Sequence, residues 1–136
     1  MKSLLLLGCF LTACLLSAAQ SDYKVVFDLT SKDSLDQRAV IRWLDEISQS
    51  NPDARMEVVM YGQGISMGVQ GRSYVSKDMA RLSSNKNISF RVCAIALKNQ
   101  GVDKSQLFPG VETVPDGIYE VIRKQREGWG YIKVKI

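Results

Sequence analysis

The chain has 136 residues, with 18 Lys and Arg against 14 Asp and Glu, no histidine, and a formal net charge of +4 at neutral pH. The basic excess is mild and scattered, and no run interleaves basic with aromatic residues, which excludes an electrostatic platform for nucleic acid. Without histidine, and with Cys9 and Cys14 both in a leader-like segment, a zinc site of the usual nitrogen and sulfur ligands cannot be assembled within one folded domain.

Lys2, an uncharged run from Leu4 to Leu16, and Ser17-Ala18-Ala19 have the layout of an export signal with an A-x-A-like cleavage site. The run is shorter than the ~20 apolar residues that span a bilayer. Residues 1–19 are therefore expected to be a signal peptide and 20–136 a single domain, periplasmic or secreted. Leu11-Thr12-Ala13-Cys14 resembles a lipobox, whose alternative outcome is a lipoprotein anchored through Cys14. About 115 residues remain after cleavage, enough for one core. Cys93 is then the single cysteine. In an oxidising compartment without a partner it is buried and inert, joined to another molecule, or a free reactive thiol.

Tyr23 to Leu29 reads as a buried strand, rich in β-branched and aromatic residues. Ser34 and Gln37 suggest a capping box, followed by Leu35, Ala39, Val40, Trp43, Leu44 and Ile47 at helical spacing. Pro52 ends that helix near Ser50. Met56 to Tyr61 is the second strand and leads into Gly62-Gln63-Gly64-Ile65-Ser66-Met67-Gly68, read as a flexible turn. Tyr74 or Val75, Met79 and Leu82 mark a shorter helix, weakened by Ser83-Ser84-Asn85. Ile88 to Cys93 is the third strand, Ala94 to Gln100 a short helix closed by Gly101, and Asp103 with Gln106 a further helical turn. Val111 to Val114 is the fourth strand. Asp116 caps a helix with Ile118, Val121 and Ile122 on one face, ended by Gly128. Tyr131 to Ile136 alternates polar and apolar residues, the mark of an edge strand.

This alternation predicts an α/β fold, a flavodoxin-like three-layer α/β/α arrangement with a five-stranded, mainly parallel sheet in the order 2-1-3-4-5. Chemistry in such folds lies beyond the carboxyl ends of the strands, here at a switch between strands 1 and 3. Cys93, at the end of strand 3 and the start of a helix, is the candidate catalytic residue, because a helix N-terminus favours an anionic sulfur. The alternative role is a small core residue. Thr30 and Ser31 after strand 1, Tyr61, Gly62 and Gly64 after strand 2, and Ala94 beside the cysteine are candidate substrate-binding residues. Asp28 reads as a hydrogen-bonded strand polar, and Arg72, Lys98 and Arg123-Lys124-Gln125-Arg126 as solvated surface.

A phosphoacceptor domain would need an aspartate where Cys93 stands, and a cysteine phosphatase an arginine where Asn99 stands. The Gly62, Gly64, Gly68 loop lacks dinucleotide spacing, and Leu29 to Ser34 has hydroxyls but no glycine for a flavin phosphate. No cofactor and no metal are expected.

Val92-Cys93 with its short helix and Gly101-Val102, then Leu107-Phe108-Pro109-Gly110-Val111-Glu112-Thr113-Val114-Pro115-Asp116-Gly117, then Gln125-Arg126-Glu127-Gly128-Trp129-Gly130-Tyr131-Ile132 resemble the DsrE/DsrF-like family of TusD- and YchN-related, sulfur-relay-like proteins. The resemblance runs from about Tyr23 to Ile132. It implies a flavodoxin-like fold, assembly into a homotrimer or homohexamer, and a persulfide on Cys93 exchanged with a sulfur donor or acceptor protein. Sulfur-relay members are cytoplasmic, whereas this chain is expected to be exported. The expected function is a small exported sulfur-handling protein; the alternative is a non-catalytic oligomeric binding or scaffold protein, with Ile65, Met67 and Phe108 as candidate apolar contacts.

Overall fold

The computed structural model describes residues 22–135. The expected signal peptide, its cleavage site and Cys14 lie outside the described residues. None of the described helices is long and apolar enough to cross a membrane.

The strands are β1 (Lys24–Leu29), β2 (Arg55–Met60), β3 (Ile88–Cys93), β4 (Val111–Val114) and β5 (Gly130–Lys133); the α-helices are α1 (Ser34–Ser50), α2 (Ser76–Leu82), α3 (Ala94–Asn99) and α4 (Gly117–Arg126). All strand pairs are parallel, and the five form one sheet in the order β4-β3-β2-β1-β5. The α/β class and the flavodoxin-like arrangement hold, but the expected order 2-1-3-4-5 does not. β5 is an edge strand as its alternation predicts, yet it pairs with β1 instead of β4. β1 and β3 are separated by β2, so no switch point lies between them.

The order explains which face each helix covers. From β1 to β4 the chain steps in one direction, and right-handed crossovers put the connecting helices on one face. There Val40, Ile41 and Leu44 of α1, Met79 and Leu82 of α2, and Ala96 and Leu97 of α3 join Val25, Phe27, Leu29, Met56, Val58, Met60, Phe90 and Val92 in the main core. Trp43 stacks on Phe27 with ring centroids 6.1 Å apart. The last crossover runs back across the whole sheet, which sends α4 to the opposite face. Its Val121 packs with Val26 and Val59 in a second, much smaller cluster. The real switch point therefore lies between β3 and β4, whose following helices leave for opposite faces.

Local details depart from the sequence reading in instructive ways. Asp33, one residue earlier than expected, caps α1 by accepting the Leu35 N–H. Gln37 forms no capping box; it turns inward, donates to Ser66 Oγ at 3.1 Å and accepts the Tyr74 N–H at 3.0 Å. The expected flexible turn is a 3₁₀ helix, Gly62–Gly68, with Gly64, Ile65, Met67 and Gly68 buried. Ile65 and Met67 thus belong to the core and Phe108 is half-buried against it, so none is an exposed contact. Asp103 and Gln106 do form a capping box, on a one-turn 3₁₀ segment.

Candidate functional site around Cys93

β3 ends at Cys93, which is also the N-cap position of α3 and contributes no side-chain cap to it. The first N–H groups of α3 are therefore left without a side-chain acceptor next to the sulfur-bearing residue. Directly across, Cys93 pairs with Val114 of β4, and three residues later α4 begins. Gly117 brings that helix in close: a Cβ there would stand 3.0 Å from Cβ of Tyr61 and 3.1 Å from Cβ of Cys93. The N-cap Asp116 accepts the Ile118 N–H at 2.8 Å, fixing the start of α4.

Between the diverging helices lies a crevice of about 530 Å³, lined by Tyr61, Gly62, Gln63, Cys93, Ile95, Ala96, Asn99, Gln100, Asp116 and Ile118. Cys93 is 5% exposed, so the cavity reaches a thiol that is otherwise packed. Gln100 braces the mouth by donating to the Gly62 carbonyl at 2.6 Å. Ile95 (52% exposed) and Ile118 (57% exposed) stand at the rim.

Behind Tyr61 is a polar cluster on the α4 side of the sheet. Asp28 accepts the Tyr131 hydroxyl at 2.6 Å and Lys133 Nζ at 3.1 Å, and Lys133 also donates to Thr30 Oγ1 at 2.9 Å. Lys133 lies 5.7 Å from the centre of the Tyr61 ring. Burial, and then the hydrogen bond to Asp28, push the Tyr61 hydroxyl well above its ordinary range. The hydrogen bond to Asp28 pushes Tyr131 up to about 12, with burial adding to it. Both phenols stay protonated near neutral pH, so Tyr61 borders the crevice as a neutral side chain whose O–H is committed to Asp28.

The predicted site residues divide into groups. Cys93, Tyr61 and Gly62 share the crevice. Thr30 joins the Asp28 and Lys133 cluster. Ser31 lines a separate cavity of about 700 Å³ with Lys32, Ser34, Arg72 and Tyr74. Gly64 packs against the backbone of Leu29 beneath the crevice. Ala94 begins α3 without lining the cavity.

The sequence reading missed a buried ionic cluster. Only Val121 of the expected apolar face of α4 is buried; Ile118 and Ile122 are exposed. The seat of α4 is instead Gly117, Glu120, Val121 and Lys124, itself a helical stripe. Lys124 leaves the expected solvated surface, holds Glu57 of β2 at 3.1 Å and lies 4.2 Å from the Trp129 ring centre. A glutamate inside the apolar run Met56-Glu57-Val58-Val59 was the available signal. Among the described residues there is no group of three or more His, Cys, Asp or Glu side chains suited to a metal ion.

The chain is similar to a solved structure of a protein of unknown function, MTH1491 from Methanobacterium thermoautotrophicum. The match has a TM-score of 0.77 and 30% sequence identity, and covers 82% of this chain and 99% of that one. No family model and no curated protein matches the chain.

Proposed function

The chain belongs to the family of MTH1491, a protein of unknown function, and from the geometry around Cys93 we propose that it is a small sulfur carrier. The observation that carries this reading is the position of Cys93 in the switch-point crevice, where α3 and α4 diverge and a cavity reaches the side chain. Helix N-termini favour negative charge, and Tyr61 borders the same crevice as a neutral phenol whose O–H is directed to Asp28. The resemblance to DsrE/DsrF-like proteins, carried in part by Val92-Cys93 itself, points the same way.

In the proposed cycle the Cys93 thiolate attacks the outer sulfur of a persulfide or polysulfide donor. The donor S–S bond breaks, its electron pair leaves with the donor thiolate, and Cys93 becomes a persulfide. An acceptor thiolate then attacks the outer sulfur and releases the Cys93 thiolate, so sulfur moves with no net oxidation or external reductant. Export would place this exchange in the periplasm or outside the cell.

The test is a transfer assay: protein loaded with polysulfide and freed of excess is given an acceptor thiol, and transferred sulfur is counted. Stoichiometric transfer by the wild type and none by Cys93→Ser is the expected result. Equal transfer by both removes Cys93 from the mechanism.

The exposed rim of Ile95, Ile118, Tyr119 and Ile122 favours a second reading, a non-catalytic homo-oligomeric binding protein in which Cys93 packs. In that case Cys93→Ser leaves both assembly and binding unchanged.

A further inference from the structure

α4 is both a wall of the Cys93 crevice, through Asp116 and Ile118, and the one helix in the small core on its face of the sheet among the described residues. That core contains only Val26, Val59 and Val121, with Tyr61 and Trp129 beside it. Ionic groups sit beside it between α4 and the sheet. Glu57 projects from β2 toward α4 and its side chain is 1% exposed. Its Oε2 meets Lys124 Nζ at 3.1 Å and Arg91 Nε of β3 at 3.6 Å. Its Oε1 is the one fully buried side-chain polar atom without a hydrogen-bond partner among the described residues.

The neighbour that can satisfy this oxygen is Glu120 of α4, itself buried. A carboxylate cannot donate to a carboxylate, so an oxygen facing another carboxyl group is satisfied only if one of the two carries a proton. Glu120 is tied to Arg123, whose Nε lies 3.0 Å from Glu120 Oε2 and whose NH2 group bonds Oε1. That fixes Glu120 as the ionised member. We infer that Glu57 Oε1 holds a proton donated to Glu120, and that losing this proton to solvent loosens α4 from the sheet and opens the Cys93 crevice.

The other charged groups facing this pair agree with the assignment. Arg91 of β3 is shared with Glu112 of β4. Arg123 is shared with Glu127 at the end of α4, and Arg55 of β2 lies over Trp129 instead of over Glu57. Burial first, and then Glu120, push Glu57 up to about 7, against the pull of Lys124. Burial pushes Glu120 up too, but Arg123 and the hydrogen bond from Glu57 outweigh it and hold Glu120 below the ordinary carboxylate range. Opening α4 returns Glu57 to water and to its ordinary acidity, so opening is linked to proton release.

The use of this device in regulating sulfur exchange rests on the sulfur-carrier reading. Its test does not, because amide exchange in α4 and alkylation of Cys93 need no persulfide, so the two can fail separately. The comparison is between the wild type and Glu57→Gln, whose amide copies the protonated carboxyl and donates to Glu120. After correction for intrinsic exchange, protection of α4 in the wild type should fall at least about tenfold between about pH 5 and about pH 7 and then level off, while Glu57→Gln stays flat. Over the same range the ratio of wild-type to variant alkylation rate should rise by a similar factor, a ratio from which ionisation of the thiol itself cancels. Identical pH profiles for the two proteins overturn the inference. If Glu57→Gln does not fold, Glu120→Gln decides: the amide removes the neighbouring negative charge and offers ionised Glu57 an N–H donor, so the wild-type step should move to lower pH, and an unmoved step overturns the inference.

Discussion

An alanine at Gly64 tests how the loop after β2 holds its wall of the crevice. The added Cβ would stand 2.1 Å from the carbonyl oxygen of Leu29 and 2.7 Å from its carbonyl carbon. Comfortable contact needs roughly 3.5 Å, so the 3₁₀ segment has to retreat by more than about 1 Å. Retreat disturbs Ile65 and Met67, both fully buried, and stretches the hydrogen bond by which Tyr61 N–H reaches the same Leu29 oxygen at 3.1 Å. Overpacking costs about 1–3 kcal/mol and the weakened backbone bond about 1 kcal/mol, against a gain of about 0.4–1 kcal/mol from stiffening the unfolded chain. The net expectation is a loss of about 2 kcal/mol. Gly71→Ala is the control, because Gly71 has φ +78° and no atom within 4 Å of an added Cβ. It bears only a conformational penalty of about 1 kcal/mol. Urea denaturation reads both as shifts in midpoint at unchanged slope. Since Tyr61, Gly62 and Gln63 line the crevice, Gly64→Ala should also speed Cys93 alkylation. A Gly64→Ala protein no less stable than Gly71→Ala would refute the packing argument.

Asp28→Asn should return the Tyr131 hydroxyl from about 12 toward its ordinary value and lower stability by about 1–2 kcal/mol. Ultraviolet titration of the tyrosines checks the first; an unchanged curve would show that Asp28 is not the cause. For stability against pH, folded Glu57 is raised from 4.5 to about 7, so its contribution is complete below about pH 4.5 and is lost as pH rises through about 7. The loss across that window amounts to ~3 kcal/mol at most. Glu57→Gln should flatten the wild-type decline, and a decline of equal size in the variant would contradict the assignment.

Much of the element order was legible because each strand is a short apolar run bounded by turn signals. β3 and β4 occupy the residues expected, and α1 runs from Ser34 to Ser50 as its stripe and Pro52 imply. Strand order was not legible. The alternation of Tyr131 to Lys133 marks an edge, but either edge satisfies it, and the choice is made by a long return crossover that leaves no local pattern. Cys93 still sits at the switch point, because that point moved to β3 and β4 and Cys93 ends one of them. The α4 seat was missed for a different reason. Its sheet-facing stripe is Gly117, Glu120, Val121 and Lys124, whereas the apolar periodicity runs through Ile118 and Ile122, which face outward. The buried positions are polar because Glu57 waits beneath them, a tertiary pairing no single segment reveals. Asp28, read as a hydrogen-bonded strand polar, has that role, and its partners come from β5.

A sulfur-carrying Cys93 should be marked by polysulfide. The most direct measurement is the mass of the Cys93 peptide after the protein is treated with polysulfide and freed of excess reagent under non-reducing conditions. A carrier thiol gains one sulfur atom, which an acceptor thiol removes. An unmodified Cys93 peptide, under conditions that load an established persulfide carrier, would contradict it.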